Sequence, residues 1–164
     1  MAAALYARDG ELGVRHRTLA LARLGELLAS LRRATAAEAT YREALALAES
    51  RRDARLVARL NNHLGTLLLR SGRVDEAGFA FEQAVDGERR GGDVLDLAAA
   101  LNNLGQSQER SGQAALARRS YADALAAIAA AGEEGTGLAA ILRAHLERLD
   151  ASRGPAARPL SLGA

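Results

Sequence analysis

The chain repeats itself every 40 residues, and no other feature limits its folding as tightly. Leu24-Gly25 recurs as Leu64-Gly65 and Leu104-Gly105. At the same spacing stand Ala37, Ala77 and Ala117, then Tyr41, Phe81 and Tyr121. Ala44, Ala84 and Ala124 follow, then Leu45, Val85 and Leu125. Five columns in register across three units are not a chance alignment. A chain of this kind stacks one small supersecondary unit on the next, because each unit buries its apolar face only on its neighbours.

Each unit reads as two helices. In the second unit Leu60, Leu64, Gly65, Leu67 and Leu68 follow helical spacing. Ser71-Gly72-Arg73 interrupts the pattern, with glycine placed just past a helix end. Val74, Ala77, Phe81, Ala84 and Val85 rebuild an apolar stripe at the 3,4 spacing of a second helix. Gly91-Gly92-Asp93 closes the unit and offers Asp93 as an N-cap. Ser111-Gly112 is the inner turn of the third unit, and Thr35 with Glu38 has the spacing of a capping box in the first. Both prolines, Pro155 and Pro159, lie in the last ten residues. Seven helices are predicted, near 12–31, 35–50, 53–71, 74–90, 93–111, 114–131 and 137–150, with no strand.

A glycine inside a helix costs roughly 1 kcal/mol against alanine, so three in one column need a reason. Close backbone approach is the expected one: Gly25 facing Ala37 across the turn, with the aromatic filling the gap beside Ala44. Tyr41, Phe81 and Tyr121 are then core residues, not a stacking platform for bases.

Composition narrows the function classes. The 164 residues contain no cysteine, which excludes disulfides and cysteine-ligated metal sites. His16, His63 and His145 are scattered over different units, so no metal is expected. All 22 cationic residues are arginine, against 20 acids. Arginine, alanine and glycine share GC-rich codons, which points to the coding bias of a high-GC bacterium. A net charge of +2 is no footprint of nucleic-acid binding. No apolar run approaches the ~18–20 residues of a membrane span. The opening MAAALYARDG has no basic segment followed by an apolar one. A cytoplasmic chain without membrane contact is expected.

Leu-Gly, then Ala, an aromatic and Ala, within an antiparallel helix pair, resembles the tetratricopeptide repeat (TPR). Its usual unit is 34 residues long, six fewer than here. The longer unit is similar to those of kinesin light chains and of helical regions in bacterial signalling ATPases and regulators, and Leu101-Asn102-Asn103-Leu104-Gly105 is typical of that branch. The resemblance covers roughly residues 12–150. It departs where Leu21, Asn61 and Leu101 replace a large aromatic, and where the closing proline is missing. The expected fold is an all-α solenoid of antiparallel helix pairs, wound as a right-handed superhelix.

The expected layout is a partial repeat or cap over 1–11, repeats at 12–52, 53–92 and 93–132, a capping helix over 137–150 and a flexible tail over 153–164. Ala4-Leu5 lies 40 residues before Ala44-Leu45, so residues 2–8 read as the end of an earlier second helix. Leu138, Ile141, Leu142, Leu146 and Leu149 form a fourth first helix, with His145 in the glycine column. An array that starts and stops in mid-repeat is either a cut from a longer one or is capped by its half-units.

Catalysis has little to stand on. The histidines are far apart, no nucleophile sits at a strand-to-helix elbow, and Asp75-Glu76 and Glu133-Glu134 suit helix starts. Gly91-Gly92 is a turn, not a phosphate loop. No enzyme activity and no cofactor are expected.

The resemblance implies that the first helix of each pair lines a concave groove. The face opposite the Leu24, Gly25 and Leu28 stripe then carries four columns: Leu19, Arg59 and Ala99; Arg23, His63 and Asn103; Glu26, Thr66 and Gln106; Ser30, Arg70 and Arg110. A flanking column holds Ala22, Asn62 and Asn102, and the last helix adds Leu142 and Arg143. An asparagine amide donates and accepts at once, matching a peptide backbone. The resemblance assigns that role to Asn62, Asn102 and Asn103. Arg23, Arg59, Arg70, Arg110 and Arg143 face few acids besides Glu26, which points to an acidic or carboxylate-bearing protein segment as partner. The alternative for this face is a plain solvated surface, on which His63 is only a polar residue. At the level of function, the alternatives are homotypic association through apolar ends at Leu5 and Leu138–Leu149, and a part of a nucleic-acid-responsive regulator. The second lacks the basic and aromatic interleaving of direct contact.

Overall fold

The computed structural model describes residues 2–133 and 136–152, with side chains from residue 13 onward. The expected tail and the apolar edge at Leu5 lie outside what is described. Seven helices follow one another: α1 (Ala2–Ser30), α2 (Ala34–Ser50), α3 (Ala54–Arg70), α4 (Val74–Arg89), α5 (Val94–Arg110), α6 (Ala114–Ala130) and α7 (Gly137–Ala151). There is no strand among the described residues. Helices pack in chain order: α1 on α2, α3 on α4 and α5 on α6 form the tight pairs, and each pair stacks on the next. Successive first helices α1, α3, α5 and α7 also approach one another, whereas the backbones of the second helices α2, α4 and α6 stay apart. The array therefore closes up on the side of the first helices and opens on the side of the second. It is the all-α solenoid of helix pairs expected of the 40-residue repeat.

The glycine column works by a contact other than the expected one. A Cβ on Gly25, Gly65 or Gly105 would stand 2.5–2.7 Å from a ring atom of Tyr41, Phe81 or Tyr121. The aromatic of the same repeat, not the alanine four residues before it, fills the space the glycine leaves. Ala37 and Tyr41 lie on one face of α2, so spacing alone does not decide which reaches the glycine. All three rings are buried, and Ala37, Ala77 and Ala117 are fully buried beside them. Tyr41 and Tyr121 are also covered from the following first helix: His63 stacks on Tyr41 at 5.9 Å and His145 on Tyr121 at 4.6 Å.

Turns and caps follow local chemistry in most places. Asp53, Asp93 and Thr136 cap α3, α5 and α7, accepting from the backbone N–H of Leu56, Leu95 and Ala139. Gly72 and Gly112 turn with positive φ, and Arg32, in their column, adopts the same left-handed conformation at φ 58°. The expected capping box does not form: Arg33 is the N-cap of α2 and makes no side-chain cap bond. Glu38 instead accepts from Arg73 Nη1 at 2.7 and 2.8 Å, tying α2 to the start of α4. At the N-terminus α1 is continuous from Ala2, with no break near residue 11. Residues 2–11 extend the first helix, where the sequence register pointed to the end of an earlier second helix. Ala2–Ala4, Leu5 and Ala7 are strong helix formers with no proline among them, and Gly10 and Gly13 do not outweigh them. Leu24, expected in the core stripe, is exposed because no helix packs on that side of α1.

At the other end Glu109 binds α5, α6 and α7 together. Tyr121 Oη donates to it at 2.6 Å and Arg148 at 2.7–2.8 Å. The Arg148 guanidinium holds the Glu109 carboxyl below the usual carboxylate range, while burial and Glu109 push the Tyr121 hydroxyl well up.

Candidate functional site on the inner face

The first helices bring some of the expected groove residues together and give others structural duties. Arg23 and Glu26 on α1 meet Arg59 and His63 on α3 around a recess of about 140 Å³. Its floor is apolar, from Leu19, Ala22, Leu56 and Leu60. His63 Nε2 lies 3.3 Å from Glu26 Oε1 and so spans the seam between the first two repeats. Burial lowers the His63 pKa first of all; Glu26 and Asp96 oppose this, and Arg59 reinforces it. The imidazole is thus neutral at neutral pH, a hydrogen-bonding group and not a charge.

A second recess of about 360 Å³ adjoins the first through Leu19, Leu56 and Arg59, and adds Arg15, Asp53 and Arg55. Asp53 is occupied as the α3 cap. The two recesses together present Arg15, Arg23, Arg55 and Arg59. Spacing had pointed to Arg23 and Arg59 but not to Arg15 and Arg55. These fill the column ten residues before the glycine, on the same helix face one turn or more earlier, and extending the columns by that step finds them. Asp96, the acid facing His63, was likewise not among the expected residues.

The asparagines join the repeats to each other. Asn103 Nδ2 donates to Asn62 Oδ1 at 2.9 Å, across from α5 to α3. Asn102 is only 9% exposed and its amide donates to Asn103 Oδ1 at 3.5 Å. Its column also holds the buried Ala22, so it lies in the seam between first helices and not on the groove floor. Asn102 Oδ1 is buried without a partner among the described residues. Asn62 is half-buried and its amide N–H₂ makes no hydrogen bond among the described residues, so it remains a donor suited to a ligand backbone.

The remaining candidates spread along the face. Thr66 is exposed and its hydroxyl donates to the Asn62 carbonyl of its own helix. Gln106 is half-buried and Arg143 exposed, one and two repeats beyond the recess. Arg110 Nη1 donates to the Leu69 carbonyl at 2.9 Å, satisfying an end carbonyl of α3. Arg70 lies at the far end of α3, in a recess of about 150 Å³ with Arg32 and Leu67. The five arginines expected as one cluster are therefore divided among three places. Among the described residues no group of His, Cys, Asp and Glu is placed to hold a metal ion, and no helix is long and apolar enough to cross a membrane.

Comparison with known proteins bears on the fold and the family. The Tetratricopeptide repeat family model matches residues 56–130, and a second model of the same description matches residues 19–51. No curated protein sequence matches significantly. The fold is similar to the N-terminal domain of stress-induced protein-1 (STI-1) from C. elegans, with a TM-score of 0.68 and 17% identity over 84% of this chain and 97% of that one. It is also similar to BtubC (BKLC) from P. vanneervenii, with a TM-score of 0.71 and 22% identity over 90% of this chain and 66% of that one. The Sgt2 TPR domain from Aspergillus fumigatus gives a TM-score of 0.65 and 19% identity, over 90% of each chain. With two family matches that between them cover most of the sequence, and a fold of stacked helix pairs, the chain belongs to the tetratricopeptide repeat family.

Proposed function

We propose that the chain is a non-catalytic protein-binding scaffold, part of a bacterial regulatory or assembly system, whose inner face takes an acidic segment of a partner. The observation that carries this reading is the pair of adjoining recesses between α1 and α3. They combine an apolar floor with Arg15, Arg23, Arg55 and Arg59, none of which makes a hydrogen bond or ion pair among the described residues. Arginines held in this way bind carboxylates bidentately and desolvate more easily than lysine. His63 and Asn62 add neutral donors and acceptors for the ligand's main chain. The charges set encounter rate and partner choice, and the apolar floor sets residence. Peptides selected from a random display library on the wild-type chain should carry an excess of Asp and Glu. Arg23→Glu with Arg59→Glu should abolish their binding and leave helical content unchanged. Selected peptides without acidic excess, or an unaffected variant, would rule the reading out.

A second reading, homotypic association, is favoured by one feature. Leu24 and Leu27 on α1, with Leu31 just past its end, form an exposed apolar stripe that no helix covers among the described residues. Sedimentation at several concentrations separates the two: a monomer throughout leaves only the scaffold reading.

A further inference from the structure

The outer side of the array carries a second trough. The backbones of α4 and α6 stay apart, and two recesses of about 340 and 180 Å³ lie between them. Both are lined by Glu82, Leu104 and Gln108, so they are one continuous depression. Two large apolar side chains stand on its walls with no packing duty: Phe79 is 64% exposed and Leu116 49%. In the Phe79 column the other repeats have Ala39 and Arg119, so the fold does not require an aromatic there.

The floor is also unlike its neighbour. One repeat earlier the equivalent positions are Leu68 and Ala80, both buried. Here they are Gln108 and Ser120, and Ser120 Oγ donates to Gln108 Oε1 at 2.8 Å. That bond occupies the Gln108 carbonyl oxygen and leaves its N–H₂ group without a partner among the described residues, and Gln108 lines both recesses. A polar pair in place of packed leucine and alanine costs burial, and the free amide is a donor for a carbonyl of a bound chain.

The charge of the trough is opposite to that of the inner face. Asp75, Glu82 and Asp86 line it without an ion pair among the described residues, and Asp123 has Arg89 at 3.6 Å. Arg119 is the remaining cation. We infer that the α4–α6 trough is a second protein-docking site, specific for an extended segment that places one large apolar side chain against Phe79 and Leu116 and basic residues against Glu82 and Asp86. The scaffold then has two faces of opposite preference, which lets one array hold an acidic and a basic partner at once. This inference does not rest on the inner-face reading.

The test is a peptide selection on a variant whose inner face is neutralised, Arg23→Gln with Arg59→Gln, using a random display library. The expected winners combine Arg or Lys with a Leu, Phe, Trp or Met. Phe79→Ser, and separately Glu82→Lys with Asp86→Lys, should each weaken them about tenfold or more, the charge reversal with a reduced dependence on salt. All three positions are at the surface, so circular dichroism and melting should match the parent. Winners without basic residues, or winners that bind both variants as tightly as the parent, would overturn the proposal. So would a concentration-dependent dimer lost in Phe79→Ser, which would assign the trough to a second copy of the chain.

Discussion

Replacing Gly65 by alanine should destabilise the protein, although the same change in an unencumbered helix stabilises it. The helix gains roughly 1 kcal/mol of intrinsic propensity from the substitution. Against this, the new methyl would stand 2.7, 2.8 and 3.0 Å from Phe81 Cε1, Cδ1 and Cζ. Phe81 is fully buried, so its ring has no free space into which to retreat. Overpacking of this kind costs typically ~1–3 kcal/mol, which leaves a net loss of up to about 2 kcal/mol. Gly78 supplies the control within the same repeat. It lies inside α4, and a Cβ there would meet only Ser107 Oγ, at an ordinary 3.5 Å. Gly78→Ala should therefore stabilise by up to ~1 kcal/mol. In thermal melts of a chain this size, 1 kcal/mol corresponds to roughly 2–4 °C. Urea titrations on the two variants should move in opposite directions. Phe81→Leu added to Gly65→Ala should recover part of its loss beyond additivity, because the clash is between those two residues. If Gly65→Ala is as stabilising as Gly78→Ala, the glycine column is not there to admit the ring, and the packing account fails.

Two further outcomes follow from particular positions. Arg32 sits at φ 58° where the next two repeats have Gly72 and Gly112; Arg32→Gly relieves a left-handed strain of roughly 1–2 kcal/mol, partly offset by glycine's unfolded-state entropy, so denaturant titration should show a gain of up to about 1 kcal/mol. Glu88 occupies a core column shared with Ala48 and Ile128, and its Oε2 is buried without a partner among the described residues. Burial, and next the nearby Asp96, raise its pKa, while Arg55, the Asp93 N–H and Arg59 pull it back. Since the folded state holds this proton more tightly than the unfolded one, Glu88 weakens the fold above its raised pKa. That penalty fades as pH falls toward the unfolded value of ~4.3. Glu88→Gln should thus stabilise at neutral pH by an amount that shrinks on acidification, read as the difference between two stability-versus-pH curves.

How much of this was legible in the sequence depends on the range of each contact. The helices and their order were, because five core columns carry one class of side chain through three repeats and glycine marks the inner turns of the second and third. The aromatic–glycine contact was half legible: both residues were singled out, but Ala37 and Tyr41 share a face and only the packed pair shows which one fills the gap. The capping box at Thr35 and Glu38 failed because Glu38 finds Arg73, 35 residues away, and a local motif holds no information on such a competitor. The groove columns located Arg23, Glu26, Arg59 and His63 correctly as neighbours. They erred at the edge of the face, where a small rotation decides between solvent and seam: Asn102 turns inward, and Arg110 is spent on the α3 end carbonyl. Arg15 and Arg55 were missed because the column count stopped one turn short of the helix start. The trough between α4 and α6 left as signs in the sequence only the odd Phe79 and the Gln108 and Ser120 that replace Leu68 and Ala80, since exposure on a second helix depends on how far apart successive pairs stand.

The central claim, that the α1–α3 recesses receive an acidic segment, is tested most directly by nuclear magnetic resonance. Isotope-labelled protein would be titrated with an acidic peptide selected on the wild-type chain, following backbone amides and the His63 ring. The account predicts that the largest shifts fall on Arg23, Glu26, Arg59 and His63, with smaller ones at Arg15 and Arg55, and that they vanish in the Arg23→Glu, Arg59→Glu variant. Shifts centred on α4 and α6, or on the Leu24–Leu31 stripe of α1, with the recess unmoved, would contradict it.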